Sequence, residues 1–269
     1  MKHPVLTLVV ALFFSSTLHS ASVLRDKYGF PPQWKVGDTW EVKSPSIAWE
    51  GAGMTTFDEQ GKPIQKTSEW EQTGWYLTRF TVTGIEEQEG VKLYHVDAEQ
   101  PAIADYEPPY PPGTRFLLTI DENFILRSVT RISPTEEESR RIGKSKGQFA
   151  PGLFGVGQPK TVEVYKAPYP VGAVESIGSP LVFPMIANSS VKEDEATDVV
   201  ADMMAWGHPV HYLVSPLEDG RSGFKVEFSV GRGGTQEKYS LTWVRGNPWW
   251  SSIDYRQGRG YRCVSTLER

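Results

Sequence analysis

Between Phe224 and Val230 apolar and polar side chains alternate without a slip. Phe224, Val226, Phe228 and Val230 fall on one side, and Lys225, Glu227 and Ser229 fall on the other. Successive side chains of an extended strand point to opposite faces, whereas a helix repeats every ~3.6 residues, so this run specifies a half-buried strand. Trp75–Ile85 follows the same rule. Tyr76, Thr78, Phe80 and Val82 share one face, and Leu77, Arg79, Thr81 and Thr83 take the other. The polar turn Glu86–Gly90 and the returning run Val91–Ala98 predict a hairpin over 75–98.

Tyr239–Cys263 extends the pattern. Its sequence YSLTWVRGNPWWSSIDYRQGRGYRC reads as strand, turn, strand, turn, strand, with breakers at Arg245-Gly-Asn-Pro248 and Gln257-Gly-Arg-Gly260. Gly and Asn tolerate positive φ and Pro fixes its own, which is turn chemistry. Further strands are expected at Trp40–Val42, Phe116–Ile120, Phe124–Ile132, Thr161–Tyr165 and His211–Val214. The fold class that follows is mainly β: curved antiparallel sheets, half-barrel or sandwich-like, with one or two short helices.

Ser133-Pro-Thr-Glu136 supplies an N-cap, a first-turn proline and a capping-box carboxylate, so a helix is expected from there to Ile142. Val199, Val200, Met203, Met204 and Trp206 leave a second helix open within 190–206. Residues 23–32 read as an arm and Ser44–Lys62 as a loop. Pro101–Gly113 carries five prolines and reads as a semi-rigid loop.

Residues 1–22 have the form of an export leader. Lys2 precedes the apolar run Val5–Phe14, and Ser20-Ala21-Ser22 offers small residues for cleavage. The expectation is an exported protein, periplasmic or extracellular, with no Cys placed for an N-terminal lipid anchor. No later run is long and apolar enough for a spanning helix. Behind the leader, residues 23–142 form a first antiparallel β unit ending in a short helix. Residues 143–155 form a Gly-rich linker, and 156–269 a second antiparallel β unit, with both units free to share one core.

An internal duplication is suggested by three segment pairs that recur in the same order. They are 36–45 with 156–168, 90–96 with 223–230, and Leu118-Thr-Ile followed by Phe124 with Leu241-Thr-Trp followed by Trp249.

Charge is uneven. The whole chain carries a formal net charge of −5, yet Arg221–Arg269 holds nine basic and four acidic residues, a net of +5. A basic stretch of this kind suits phospholipid, lipopolysaccharide or acidic polysaccharide. The alternative is that it faces the acidic segment Glu193–Asp202 of the same molecule.

The sequence points away from enzymes with short signatures. It holds no G-x-S-x-G elbow, Walker loop or H-E-x-x-H, and its single cysteine, Cys263, excludes an intrachain disulfide. His208-Pro-Val-His211 is a poor metal pair, because residues three apart on a strand face opposite sides. Glu227 and Asp254 are the carboxylate pair to examine for hydrolysis. No cofactor, metal or nucleic-acid motif is present.

Nine tryptophans set this chain apart. Trp243, Trp249, Trp250, Tyr255 and Arg256 are the candidate ligand-binding residues. If Trp249 and Trp250 occupy consecutive strand positions they face opposite sides, so one can fill the core while the other is open beside Tyr255 and Arg256, unless both sheet faces are covered. The favoured reading for most of these rings is that they fill the β core. The leading functional expectation is a non-enzymatic binding or structural protein. It would hold an apolar or amphiphilic ligand, or a protein partner, on a sheet face; lipid, glycan or an envelope protein are the partner classes. A carbohydrate-binding module with stacking aromatics is the second reading, and a hydrolase without a short motif the third.

Overall fold

The computed structural model describes residues 23–50, 56–57, 60, 63–64, 69–100, 113–135, 137–138, 141, 161–166, 183–202, 209–231, 236–258 and 260–268. Residues 1–22, expected as a leader, the proline-rich stretch 101–112, and residues 143–155, expected as a linker, lie outside them.

The chain opens with one wide helical turn, Val23–Lys27, and then enters β1 (Thr39–Glu50). A two-residue ribbon, β2 (Thr56–Phe57) and β3 (Pro63–Ile64), follows. The meander β4 (Glu69–Gln88), β5 (Val91–Glu99), β6 (Arg115–Asp121), β7 (Leu126–Ser133) and β8 (Thr161–Lys166) comes next. A second meander runs through β9 (Thr197–Asp202), β10 (Pro209–Pro216), β11 (Gly223–Val230), β12 (Glu237–Val244), β13 (Ser252–Gln257) and β14 (Tyr261–Glu268).

Twelve of these strands form one antiparallel, open, curved sheet in the order β8-β7-β6-β5-β4-β1-β14-β13-β12-β11-β10-β9. Two six-strand meanders therefore lie side by side, joined where the first strand of one meets the last strand of the other. That seam is short. Glu41–Lys43 pair with Thr266–Glu268, whereas β1 pairs with β4 along its whole length.

Local chemistry explains the turns. The hairpin expected at 75–98 is β4–β5, closed by Glu89 and Gly90, both at positive φ. That is the backbone of a two-residue hairpin turn whose twist matches its strands. Between β6 and β7, the buried Asp121 carboxylate accepts the backbone N–H groups of Asn123 and Ile125 at 2.9 Å each, and Arg127 caps it from outside. This carboxylate holds Phe124 in a left-handed conformation that an aromatic residue rarely adopts.

Three expectations need correction. Ser44–Lys62 is not a loop throughout: β1 runs to Glu50, and β2 and β3 lie beyond it. Within 190–206, which the sequence leaves open to a helix, residues 197–202 form a strand, β9, while Met203, Met204 and Trp206 lie outside the described residues. Val199 is buried and its neighbour Val200 exposed, as alternation on an edge strand requires. The helix start at 133 moves by two residues. Ser133 ends β7, and Thr135 makes the reciprocal capping box with Glu138 at 2.9 and 3.2 Å.

The core covers one face of the sheet. Phe80, Tyr94, Val96, Phe116 and Leu118 supply the first meander's half, and Val214, Phe224, Val226, Leu241 and Trp243 the second's. The arm beginning at Val23 seals it. Phe30 lies 5.4 Å from the Phe124 ring and 5.1 Å from Trp243, so one side chain bridges both meanders. Trp34 stacks on Trp40 at 5.1 Å and donates its indole N–H to the Pro248 carbonyl. Burial of such rings stabilises by about 1.5–3 kcal/mol each, and here they tie four distant segments together.

Of the three recurring segment pairs, two fall on matching strands. Residues 90–96 and 223–230 lie on the third sheet strand of each meander, β5 and β11. Leu118 and Leu241 lie on the fourth, β6 and β12. The turns after those fourth strands both deliver aromatics to the shared core, Phe124 from one and Trp249 and Trp250 from the other. The remaining pair does not match. Residues 36–45 lead into and begin β1, the first strand, whereas 161–166 form β8, the sixth.

Candidate functional site

The structure separates the residues that the sequence grouped as one site. Trp249 and Trp250 are both fully buried, in line with the core-filling reading of the aromatics, and neither is open beside Arg256. The alternation rule fails here because neither residue is in a strand. β12 ends at Val244, β13 begins at Ser252, and the connection folds inward so that both rings enter the core. Trp249 stacks against Phe80 at 5.1 Å, and Trp250 meets Trp243 edge-on at 5.6 Å. Trp243 is also fully buried, and its indole N–H is held by the Tyr28 carbonyl at 2.9 Å. None of these three rings offers a face to a ligand.

Tyr255 and Arg256 are separated by the alternation of β13 itself. Tyr255 is half-buried on the inner face, within a row of rings on successive strands. That row runs Tyr212, Phe228, Tyr239, Tyr255 and Tyr261, with centroids 4.8–5.6 Å apart at each step. Arg256 points outward.

On that outer face Arg256 is one of three cations in register. Lys238 on β12 pairs with Arg256 on β13, which pairs with Arg262 on β14. Adjacent strands lie about 4.8 Å apart, so three positive charges fall within ~10 Å. Like charges directly opposite one another oppose folding. One carboxylate moderates the repulsion. Asp254 accepts from Arg256 at 3.2 and 2.8 Å and from Arg262 at 3.1 and 2.9 Å. Burial alone would raise its pKa, but the two guanidinium groups outweigh that and hold it at about 2. Asp254 is thus an ionised clamp with no proton to give at neutral pH. Glu227, the other carboxylate singled out for hydrolysis, is paired with Lys225 at 2.7 Å. Both arginine side chains remain 56% exposed, and Lys238 has no ion-pair partner among the described residues. The row carries three positive charges against one negative.

The alternative for the basic C-terminal part, neutralisation by Glu193–Asp202, finds no ion pair among the described residues. Glu193 and Asp194 pair with Lys27 at 2.9 and 3.1 Å, Glu195 with Lys192, and Asp198 with His211. The acidic segment is engaged by the arm and by its own neighbours.

The first meander's outer face is built differently. Arg115, Glu99, Arg79 and Glu41 lie opposite one another on β6, β5, β4 and β1, with signs alternating at every step. Arg79 donates to Glu41 at 2.9 and 2.7 Å and lies 3.7 Å from Glu99. Arg115 pairs with Asp97.

A cleft of about 780 Å3 opens at the end of the seam, lined by Glu41, Arg79, Arg245, Asn247, Pro248 and Glu268 among others. Its rim is the Arg245–Pro248 turn that the sequence marked as a breaker. The Asn247 side chain donates to Ser251 at 2.8 Å, and the Arg245 N–H to the Ser222 carbonyl at 2.8 Å.

No catalytic constellation emerges among the described residues. The Cys263 thiol is buried and pushed up to about 11, chiefly by burial, and no group of three potential metal ligands converges. The sequence reading missed Lys238 and Arg262 as partners of Arg256. Each is an ordinary outward strand charge, and only the register of β12, β13 and β14 brings them together. Comparison with known protein families, curated proteins and solved structures finds no match for this chain.

Proposed function

We propose that this is an exported, non-enzymatic binding protein whose second meander takes an anionic, phosphate-bearing amphiphile of the cell envelope on its outer face. The row Lys238–Arg256–Arg262 carries the reading: three exposed cations set in register against one carboxylate, with the acidic segment engaged elsewhere. Guanidinium groups match phosphate oxygens through paired N–H donors, and Asp254 fixes two of them before any ligand arrives. The leader-like residues 1–22 support the exported setting. The inner face suits an apolar ligand less well, because the arm and the Trp249-Trp250 connection already fill it. A carbohydrate reading loses Trp243, Trp249 and Trp250 as stacking platforms for the same reason.

The matched segments on β5 and β11 and on β6 and β12 support a duplicated six-strand unit. In that view one copy kept a self-neutralised outer face and the other acquired a basic one.

Co-sedimentation with vesicles tests the reading. Phosphatidylglycerol vesicles should retain the protein and phosphatidylcholine vesicles should not, with retention falling steeply as salt rises. Equal retention on both lipids, or on neither, contradicts it.

A further inference from the structure

One open indole stands outside the basic row but on the same face of the sheet. Trp34, Trp40, Trp243, Trp249 and Trp250 are all buried, whereas Trp75 on β4 is 42% exposed. Tyr76, Thr78 and Phe80 enter the core, so alternation turns Trp75, Leu77 and Arg79 to the outer face. Lys43 on β1, set between the buried Val42 and Ser44, turns the same way. It pairs with Leu77, and its Nζ lies 4.8 Å from the centre of the Trp75 ring. No carboxylate lies within ion-pair distance of Lys43 among the described residues.

Register places this pair beside Lys238, Arg256 and Arg262. Lys43 is opposite Thr266 on β14, four residues beyond Arg262 on the same side of that strand, and Trp75 lies one strand further. At ~3.4 Å per residue and ~4.8 Å per strand, Lys43 and Trp75 are roughly 12–15 Å from Arg262. Val264 and Thr266 between them are half-buried and uncharged. β12, β13, β14, β1 and β4 are consecutive in the sheet, so the stretch is continuous and crosses the seam onto the edge of the first meander. Across it Lys238, Arg256, Arg262, Lys43 and Arg79 meet only Asp254, Glu41 and Glu268, five cations to three carboxylates.

We infer that the protein docks through this stretch on the surface of an anionic bilayer, with Trp75 seated at the level of the lipid headgroups and Lys43 beside it on a phosphate. The inference rests on the phosphate-binding reading of the basic row and names the form its amphiphile takes, an intact membrane rather than a single lipid molecule. Two arguments favour the membrane. Cations spread that far apart on an open sheet face do not converge on one phosphate, whereas an anionic bilayer presents many. An indole joins a large apolar ring to one N–H donor, so it settles where headgroups meet acyl chains, and a lysine stem lying along it keeps its ammonium in the aqueous layer.

Tryptophan emission on phosphatidylglycerol vesicles with brominated acyl chains tests the inference, because bromine quenches only rings that approach the chains. Wild-type emission should fall relative to unbrominated vesicles, and Trp75→Phe should lose most of that fall. Lys43→Gln should weaken retention roughly fivefold, the effect of one basic residue at an anionic surface. Dihexanoylphosphatidylglycerol, kept monomeric, should not displace the protein from vesicles; displacement would assign a single-lipid site and overturn the membrane. Retention of the wild type with equal quenching in Trp75→Phe also overturns the inference, while the basic-row reading stands. Absence of wild-type retention fails that reading and the inference with it, so the two failures are told apart.

Discussion

The outer faces of the two meanders solve one problem in opposite ways. On the first, Arg115, Glu99, Arg79 and Glu41 alternate in sign across four strands, so each charge faces its counter-charge. On the second, Lys238, Arg256 and Arg262 repeat one sign across three strands, with Asp254 alone offsetting them. Alternation contributes a few tenths of a kcal/mol per cross-strand pair and leaves nothing for a partner. Repetition costs about as much and leaves charge to spare. A face that retains an unfavourable arrangement on an otherwise well-packed sheet is where binding is to be sought.

The comparison presupposes that both faces hang on one inner core. Trp249→Ala removes a ring in contact with Trp40, Phe80 and Phe124 and should destabilise by about 3–5 kcal/mol in urea denaturation. Both meanders should unfold in one transition. Two separated transitions would show that the faces belong to independent units.

Acid sharpens the second face. Asp254 has its pKa held at about 2, below the ordinary carboxylate value. Its clamp therefore stabilises the fold above pH ~4 and is lost as pH falls toward 2. At this part-exposed site the contribution is at most about 1 kcal/mol after screening. Asp254→Asn should lower stability at pH 5 by that amount, and the difference should shrink steadily as pH falls from about 4 through about 2. A difference of constant size across that range would assign the effect to packing.

Single charge reversals should move the two faces in opposite directions. Glu99→Lys breaks the alternating row and should cost roughly 0.5–1 kcal/mol. Lys238→Glu sets an opposite charge against Arg256, leaving only the Arg256–Arg262 pair alike in sign, and should raise stability by roughly 0.2–1 kcal/mol. If Lys238→Glu destabilises instead, the row is not under electrostatic strain.

Much of the fold was legible in the sequence, because period-two alternation is a local signal. Phe224–Val230, Trp75–Ile85 and Val91–Ala98 are strands, and the last two pair as the expected hairpin. What alternation could not supply was where strands stop. Trp249 and Trp250 looked like strand residues, but directly after a Gly-Asn-Pro turn they belong to a connection that folds into the core. The same limit hid the reach of β1 past Ser44 and the edge strand at 197–202, where an acidic lead-in mimicked a helix start. The candidate site was legible only in part. Arg256 was named, but its two partners are 18 residues upstream and six downstream, and only tertiary register sets them side by side. The cleft was invisible for the same reason, since it joins the two ends of the sheet-forming chain.

The most direct test sets one row against the other on phosphatidylglycerol vesicles. Arg256→Ala with Arg262→Ala removes two cations from the repeating row. At about 1 kcal/mol per basic residue near an anionic surface, retention should weaken roughly 30-fold. Arg79→Ala with Arg115→Ala removes the same charge from the alternating row and should leave retention within about twofold of the wild type, because those arginines are already neutralised. Equal weakening by the two double variants would mean that net charge alone drives association and would contradict a site on the second meander.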